Sequence, residues 1–180
     1  MAETRKSYIR RVREGWFDKY VSTYLSGIDI GCGFDPLNET FRRYDIIYGD
    51  GDAQKMLGVP SDSFHTVYAS HVLEHMHDPI EAFHNWYRIC KSPGHIIVCV
   101  PQRDLYEKKH DLPSNWNADH KTFWLPEKGE PPITKGLREV VLHAVPYANI
   151  VDLRVLDEHW VSNGEDHSSG EYSIEVIVNK

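Results

Sequence analysis

The residues with the most evident chemistry form a glycine turn, residues 27–33, with the sequence Gly-Ile-Asp-Ile-Gly-Cys-Gly. Its apolar positions predict a short buried strand that stops at Gly31 and Gly33. These two glycines allow a tight turn and let a ligand lie against bare main chain. Asp29 lies near the end of the strand, so its carboxylate can accept a hydrogen bond from a cationic amine. The turn therefore suits a ligand that carries both an amine and a carboxylate.

Two other ligands of glycine turns fit this stretch less well. A dinucleotide fingerprint requires G-x-G-x-x-G, and Pro36 occupies the position of its third glycine. A Walker phosphate-binding loop requires Gly-Lys followed by Ser or Thr, which this stretch lacks. A strand–turn–helix corner that binds no ligand stays open as an alternative.

A second group of acids accompanies the next predicted strand, residues 44–48. Ligands of a doubly wound sheet bind outside the carboxyl ends of its strands. An acid at the end of this strand can bind both hydroxyls of a ribose; Asp45 is the candidate and Asp50 the alternate. Asp52 and Ala53 would then lie against the adenine edge. The same acidic, glycine-rich run is otherwise typical of a solvated turn, and it lacks the register of an EF-hand calcium loop.

The segment from His71 to His75 reads His-x-x-Glu-His, which is also the signature of the inverted zinc peptidases. That signature needs a continuous helix, so that two histidines one turn apart face a single metal ion. Here the segment directly follows a predicted strand, residues 64–70, and Pro79 starts a new helix with Asp78 as its cap. The context therefore argues against a zinc peptidase.

The elements that must position these residues alternate between strand and helix. Apolar spacings of three and four residues predict helices, and short β-branched or apolar runs predict strands. The predicted helices cover residues 7–24, 79–91 and 134–144, with another starting at Asp35 and Pro36; the remaining predicted strands cover residues 64–70, 95–100, 151–160 and 171–179. This alternation indicates an α/β fold, a Rossmann-like, doubly wound, mostly parallel sheet with helices on both faces. A polar turn over residues 162–170 joins the last two strands into a predicted C-terminal antiparallel hairpin.

Length and composition exclude several classes of protein. A chain of 180 residues is expected to form one domain. Its net charge of −7 argues against a general nucleic-acid binder, which needs a basic face. No apolar run approaches the roughly 20 residues that span a bilayer, and no apolar signal core follows the N-terminus. Cys32, Cys90 and Cys99 lack metal or disulfide spacing, so we expect reduced thiols and a cytoplasmic protein.

Four blocks of sequence, in this order, resemble the class I S-adenosylmethionine-dependent methyltransferases. They are Gly-Ile-Asp-Ile-Gly-Cys-Gly at 27–33, Gly-Asp-Ala at 51–53, Ser-Phe-His-Thr-Val-Tyr-Ala-Ser-His-Val-Leu-Glu-His at 63–75 and Trp-Tyr-Arg-Ile-Cys-Lys-Ser-Pro-Gly-His at 86–95. The resemblance is to the compact members termed methyltransferase type 11 and extends over about residues 11–180. The chain departs from them at Asp35, which replaces the usual third glycine, and in a short segment between the first two blocks.

The resemblance implies S-adenosylmethionine as the cofactor and identifies the residues that hold it. The methionine portion of the cofactor would contact Asp29, Gly31, Cys32 and Gly33, and its ribose would contact Asp45. The adenine would lie against Asp52 and Ala53, and the sulfonium would lie near Ser70 and His71. The single domain, residues 1–180, would begin with a helical lead-in over residues 1–25.

The segment over residues 102–133 is the candidate substrate loop or lid. It is far longer than a typical connection of about 4–6 residues and follows the central strand, where a substrate loop belongs. Aromatic and hydrogen-bonding side chains stand together in it, which suits a polar ring such as a sugar or a secondary metabolite. The candidate substrate-binding residues are Asp104, Tyr106, Trp116, Asn117 and Trp124.

Transfer of a methyl group to O or N of such an acceptor requires mainly alignment and removal of a proton. The candidate bases are His120, oriented by Asp119, and then His71. Any one of these histidines is otherwise a surface or structural residue. We expect a small-molecule substrate, no resident metal, no nucleic-acid or membrane partner, and a monomer or homodimer.

Two alternative functions stay open. The first is a metal-assisted O-methyltransferase, in which carboxylates and imidazoles suit a divalent ion. Its ligands would come from His110, Asp111, Asp119 and His120. The second is a non-catalytic S-adenosylmethionine-binding or regulatory protein that keeps the fold without the chemistry.

Overall fold

A computed structural model of the chain describes residues 3–21, 26–161 and 169–180. The strands of these described residues are β1 (Gly27–Ile30), β2 (Arg42–Tyr44), β3 (Phe64–Ser70), β4 (Cys90–Pro101), β5 (Phe123–Leu125), β6 (Thr134–Gly136), β7 (Asn149–Leu156) and β8 (Ser173–Asn179). The α-helices are α1 (Glu3–Lys6), α2 (Tyr8–Arg13), α3 (Trp16–Tyr20), α4 (Pro79–Ile89) and α5 (Leu137–Ala144). Short 3₁₀ helices lie at Ile46–Tyr48 and Leu73–His75, and a short π-helix lies at Arg103–Glu107.

The main sheet has the strand order β2-β1-β3-β4-β8-β7. The first four strands in this order run parallel to one another. β8 runs antiparallel to both β4 and β7. These pairings confirm the predicted, mostly parallel sheet with an antiparallel pair at the C-terminal end of the chain. The strand order reverses between β1 and β3, which is where doubly wound sheets bind ligands, outside the carboxyl ends of the strands.

Helices cover both faces of this sheet, as predicted. On one face, α4 and α5 bury apolar side chains such as Phe83, Trp86 and Val141 against the strands. On the other face, Trp16 and Tyr20 of α3 pack against side chains of β3, β4 and β8. The alternation of side chains along each buried strand supplies both of these cores.

A buried ion pair holds the N-terminal helices on the second face. The Arg11 guanidinium lies 2.9 Å from Oε2 of Glu175, and both side chains are almost fully buried. Arg11 also donates a hydrogen bond to the Tyr68 hydroxyl at 3.1 Å, and Trp16 Nε1 donates to Glu175 Oε1 at 3.1 Å. Charged residues of the predicted lead-in thus belong to the core of this face.

Two predictions for the segment between β1 and the Gly-Asp-Ala block are wrong. No helix begins at Asp35 and Pro36, since residues 31–41, which are all described, form turns. The amide of Leu37, which a capping Asp35 would have bound, donates to Asp29 Oδ2 at 2.7 Å instead. The predicted strand over residues 44–48 ends at Tyr44, because the Asp45 side chain accepts from the Ile47 amide and starts a 3₁₀ helix.

Other boundaries differ less. The predicted helix over 134–144 begins at Leu137, since residues 134–136 form β6 and pair in parallel with β5. The lead-in is interrupted at Gly15, whose φ is +65°. Its predicted end, at residues 22–24, and most of the predicted turn over 162–170 fall outside the described residues.

Candidate functional site

A cavity of about 650 Å³ lies at the carboxyl ends of β1, β2 and β3. Five of the predicted cofactor residues line it: Gly31, Asp45, Asp52, Ala53 and His71. Its volume is within the range of roughly 300–1,000 Å³ that holds small molecules and cofactors. The fold thus assembles one site from four separate stretches of sequence, the last of them at Asp119.

The glycine turn closes one wall of this cavity. Gly31 has a φ of +68°, and a Cβ atom there would lie 2.2 Å from Cγ2 of Val72. Gly33 has a φ of +52°, and a Cβ atom there would meet no atom within 4 Å. Glycine is therefore required at Gly31 both by its left-handed backbone and by the neighbouring side chain, whereas the space beside Gly33 is open.

Asp45 ties the ends of β1 and β2 together. Its Oδ2 accepts a hydrogen bond from the Gly33 amide at 2.9 Å, and its Oδ1 accepts from the Ile47 amide at 3.0 Å. The Asp45 amide in turn donates to Asp50 Oδ2 at 3.1 Å. Each carboxylate oxygen has a second lone pair, so Asp45 can fix the turn and still face a ligand in the cavity that it lines.

The other predicted cofactor residues lie outside the cavity lining. Asp29 is 2% exposed and lies beneath the turn, where it accepts the Leu37 amide. Burial raises the pKa of Asp29 to about 7. Cys32, Gly33 and Ser70 flank the lining residues without belonging to them. Contact of these four residues with the cofactor stays a prediction.

A cluster of histidines and carboxylates adjoins the same cavity. After β3 the chain enters the 3₁₀ helix Leu73–His75, which places Glu74 at the centre of the cluster. Oε1 of Glu74 lies 3.6 Å from His71 Nδ1, 4.0 Å from His75 Nε2 and 3.9 Å from His120 Nε2. His71 and His75 line the cavity together with Asp119. Groups that can accept protons or bind metal therefore stand beside the predicted cofactor.

His71 occupies an unusual backbone position at the end of β3. Its φ is +57°, which a non-glycine residue adopts rarely, and such strain concentrates at functional sites. The ring Nε2 lies 2.9 Å from Oγ of Ser173. Burial, with a smaller effect from His120, lowers the pKa of His71 to about 3, so the ring is neutral at physiological pH.

The partner predicted for His120 is corrected by the structure. Nδ1 of His120 lies 2.5 Å from Oε1 of Glu107, while Asp119 Oδ2 lies 2.9 Å from Nδ1 of His75. His120 is 4% exposed and turns inward toward the π-helix that ends at Glu107, whereas Asp119 faces the cavity. The order of the two residues along the chain therefore gave the wrong pair.

The five predicted substrate residues do not line the cavity. Trp124 is 0% exposed and belongs to the main core, which does not favour the predicted contact with substrate. Tyr106 is buried as well, and its carbonyl accepts a hydrogen bond from Trp116 Nε1 at 2.9 Å. Asp104 binds Arg103, and the amide oxygen of Asn117 accepts from the Asp119 amide. Substrate contacts of all five residues stay predictions.

Sequence reasoning missed three residues of the cluster: Glu74, His75 and Glu107. The first two belong to the His-x-x-Glu-His segment, whose pattern is typical of a metal-binding helix of the inverted zinc peptidases. A 3₁₀ helix replaces that helix, and the remaining members of the cluster come from a distant segment. Glu107 carried no signal of its own, because only the fold brings it to His120.

The fold is that of the Rossmann-like methyltransferases. A chain of the Haloferax volcanii complex between the Trm112 methyltransferase activator and a methyltransferase has a TM-score of 0.58 at 12% identity, with 99% of this chain and 97% of that chain covered. A methyltransferase from Thermotoga maritima gives 0.52 at 16% identity, with both chains covered at 100%. The 4+2 cyclase SpnF gives 0.53 at 13% identity, with 94% and 80% covered. No curated protein sequence matches the chain.

A family model described as a methyltransferase domain matches residues 8–129, and the chain belongs to that family. S-adenosylmethionine is its cofactor. The cavity fits this molecule, since it combines bare main chain at Gly31 with the carboxylates of Asp45, Asp50 and Asp52. Among residues 3–21, 26–161 and 169–180, no helix has the length and apolar character of a membrane span.

Proposed function

We propose that the protein transfers a methyl group from S-adenosylmethionine to O or N of a small polar acceptor such as a sugar or secondary metabolite. One observation carries the proposal: His71, His75 and Asp119 line the same cavity as the glycine turn and Ala53. A cofactor held by the turn would therefore have proton acceptors beside it. A protein that only bound the cofactor would not need such a cluster.

The position of each residue in the cavity determines its proposed role in binding the cofactor or in removing the acceptor proton. The bound cofactor supplies a methyl group on a cationic sulfonium, which is already activated for in-line displacement. Gly31, Asp45 and Asp52 bind and orient the cofactor along the strand ends. His71 lines the cavity with an uncharged ring, because burial lowers its pKa to about 3; it can therefore orient the acceptor by a hydrogen bond, but at neutral pH it is a weaker base than a histidine with an ordinary pKa. His120 packs behind His75, with the two ring centres 4.9 Å apart, and Asp119 orients His75, which lines the cavity and can accept a proton there. Proton removal of this kind contributes about 10²–10⁴ in rate.

The proposal is tested first by calorimetry with S-adenosylmethionine, and then by a screen of sugars and secondary metabolites with mass detection of a gained methyl group. We expect binding at one site per chain and production of S-adenosylhomocysteine with at least one acceptor. Binding of S-adenosylmethionine without production of S-adenosylhomocysteine from any acceptor would favour the non-catalytic alternative. The similar fold of the cyclase SpnF is one reason to test that alternative.

Two alanine variants then test the histidines. His71→Ala and His120→Ala are each expected to lower turnover by about 10²-fold. Cofactor affinity should stay within about threefold in His120→Ala and should fall in His71→Ala, because His71 is also a predicted cofactor residue of the cavity lining. The exposed His84 of α4 supplies the control, since His84→Ala removes an imidazole that is not part of the cavity lining. Unchanged turnover in both histidine variants with cofactor binding intact would contradict base catalysis by histidine.

We also propose a small-molecule substrate, a cytoplasmic location, a monomer or homodimer, and no binding of nucleic acid, for which the net charge of −7 is the support. The second candidate function is methyl transfer by a complex of this chain with a protein partner. The chain from Haloferax volcanii is found in a complex with an activator, and here Phe34 and Ile46 are 86% and 82% exposed beside the edge strand β2. Light scattering of the purified protein gives its molar mass and so distinguishes a monomer from a homodimer. Affinity capture of the protein from cell extract shows whether a protein partner stays bound to it.

A further inference from the structure

We propose that Glu74, His75 and His120 form a binding site for one divalent transition-metal ion beside the cofactor cavity. One ligand atom of each residue lies within 4.8 Å of the others. Both histidines point Nε2 at the same carboxylate oxygen, Oε1 of Glu74, at 4.0 and 3.9 Å. Ligands of a tetrahedral ion at about 2.0–2.2 Å lie roughly 3.3–3.6 Å apart. A contraction of roughly 0.5 Å in these two distances, by side-chain rotation, brings each histidine to that spacing from Glu74. The two histidine ligand atoms, which lie within 4.8 Å of each other, must approach by at most roughly 1.5 Å.

The carboxylates behind the two histidines support this assignment. Nδ1 of His75 lies 2.9 Å from Asp119 Oδ2, and Nδ1 of His120 lies 2.5 Å from Glu107 Oε1. A metal-binding histidine generally donates its other ring N–H to a carboxylate, which fixes the tautomer and the ring orientation. Here both Nδ1 atoms have such a partner; when each Nδ1–H donates to its carboxylate, the lone pair is on Nε2, which lies 4.0 Å (His75) and 3.9 Å (His120) from Glu74 Oε1. The arrangement typical of a metal site thus includes the carboxylates of Asp119 and Glu107, which orient the two histidine ligands.

The backbone holds the two halves of the site together. The Glu74 carbonyl accepts hydrogen bonds from the amides of Lys121 and Thr122 at 2.8 and 3.3 Å. The segment that carries His120 is therefore joined directly to the 3₁₀ helix that carries Glu74 and His75. Glu74 is 0% exposed and His120 is 4% exposed. A buried carboxylate is stabilised by a cation, and a site with restrained ligands needs little reorganisation to bind one.

The chemistry of the ligands selects the ion. Two imidazoles and one carboxylate suit Zn²⁺ and the neighbouring first-row divalent ions, and they leave at least one position open for water or a substrate atom. Magnesium and calcium prefer oxygen ligands. Of the metal ligands considered from sequence, His120 belongs to this site and Asp119 supports it, whereas His110 is 73% exposed beside Glu130.

The site is continuous with the cofactor cavity, because His75 belongs to both. If the proposed function holds, an acceptor oxygen at the open position of the ion would be brought to the cofactor, which favours oxygen over nitrogen acceptors. Metal binding itself does not depend on methyl transfer. The two proposals can therefore fail separately.

The test begins with protein freed of metal by a chelator and titrated with Co²⁺ and Zn²⁺. We expect one ion per chain, d–d absorption bands of Co²⁺ with nitrogen and oxygen ligands, and competition between the two metals. His75→Ala and His120→Ala are expected to weaken binding by at least about 100-fold, since each removes a ligand. Asp119→Asn and Glu107→Gln are expected to weaken it by about 10- to 100-fold, since they remove only the supporting carboxylates.

Three controls make the outcome decisive. His84→Ala, which replaces an exposed histidine of α4, should bind metal as the unchanged protein does. Circular dichroism of each variant separates lost ligands from lost folding. Cofactor titration of the same samples shows whether the cavity is intact. A sulfur-to-cobalt charge-transfer band, no binding by the unchanged protein, or full binding by folded His75→Ala and His120→Ala variants would each overturn the site.

Discussion

Asp29, a predicted cofactor residue, has a defined role in the fold. Its carboxylate accepts the Leu37 amide at 2.7 Å and thereby shapes the turn that follows β1. Burial raises its pKa to about 7, against the opposing effect of that hydrogen bond. A raised pKa in an acid means that the folded state binds the proton more tightly than the unfolded state. The free energy of unfolding therefore falls as pH rises from about 4 to about 7, and Asp29 adds no further change above that.

Replacement of Asp29 by asparagine is expected to remove this pH dependence. The asparagine side chain would keep an oxygen for the Leu37 amide but would carry no charge to bury. Relative to the unchanged protein, the free energy of unfolding of Asp29→Asn should rise by about 2–3 kcal/mol between pH 5 and pH 8. Urea denaturation of both proteins at the two pH values measures this difference. An equal difference at both pH values would show that Asp29 is ionised throughout.

At the scale of elements, the turn after β1 depends on the close approach of the Gly31 backbone to the Val72 side chain. Gly31 has a left-handed backbone, its amide donates to the Tyr44 carbonyl at 2.8 Å, and Val72 occupies the space of a Cβ atom. Any side chain here must push apart the ends of β1 and the segment after β3. The close contact between Gly31 and Val72 at the edge of the cavity is thus possible only because Gly31 has no Cβ atom.

Gly31→Ala is expected to destabilise the protein and to weaken cofactor binding. A matched control is Gly58→Ala, since Gly58 also has a positive φ, +78°, but a Cβ atom there meets nothing within 4 Å. Backbone strain alone should cost about 1 kcal/mol in the control, and the clash should raise the cost to about 2–4 kcal/mol at Gly31. Urea denaturation gives the free energies, and calorimetry gives the cofactor affinities. Equal effects of the two variants would contradict a steric role for Val72.

Elements with strong local signals could be predicted from sequence. The apolar runs of β3 and β4, and the Asp78 cap and apolar spacing of α4, determine these elements locally. Asp78 accepts hydrogen bonds from the amides of Ile80 and Glu81, as the cap predicts. Alternation of such elements was enough to predict the class of fold and the edge of the sheet that carries the cavity.

The remaining elements and contacts depend on partners far away in the chain. Asp35 failed as a helix cap because Arg5 binds its carboxylate and Asp29 binds the amide it would have capped. The partner of His120 is likewise Glu107, on a π-helix that packing rather than local pattern positions. Sequence spacing can indicate which residue types carry chemistry, but it cannot determine which of them meet.

At the scale of the whole molecule, the N-terminal helices and the last strand are joined through a buried charge pair. Arg11 and Glu175 are 164 residues apart in sequence, yet their charged groups lie 2.9 Å apart on the second face of the sheet. Trp16 Nε1 donates to the second oxygen of Glu175 at 3.1 Å. The pair lies outside the cavity lining. Its contribution should therefore appear in stability and not in cofactor binding.

Arg11→Met is expected to lower the free energy of unfolding by about 3 kcal/mol, because it removes the buried cation from Glu175 Oε2 and leaves that carboxylate only the partly exposed Arg154, 3.3 Å from Oε1. The control is Arg13→Met on the same helix, whose side chain is 58% exposed and whose ion pair with Glu158 should contribute at most about 1 kcal/mol. Chemical denaturation of each variant, followed by tryptophan fluorescence, measures these differences.

The double variant Arg11→Met with Glu175→Gln separates charge from packing. The amide oxygen of the glutamine can still accept from Trp16 Nε1, and no unpaired charge stays buried, so most of the stability lost in Arg11→Met should return. A double variant as unstable as Arg11→Met would instead assign the loss to the packing of the guanidinium over Trp16, at 4.3 Å from its ring centre. Cofactor affinity should stay unchanged in every variant that folds, because the cavity is lined by the strand ends and their loops and draws no residue from α2 or β8.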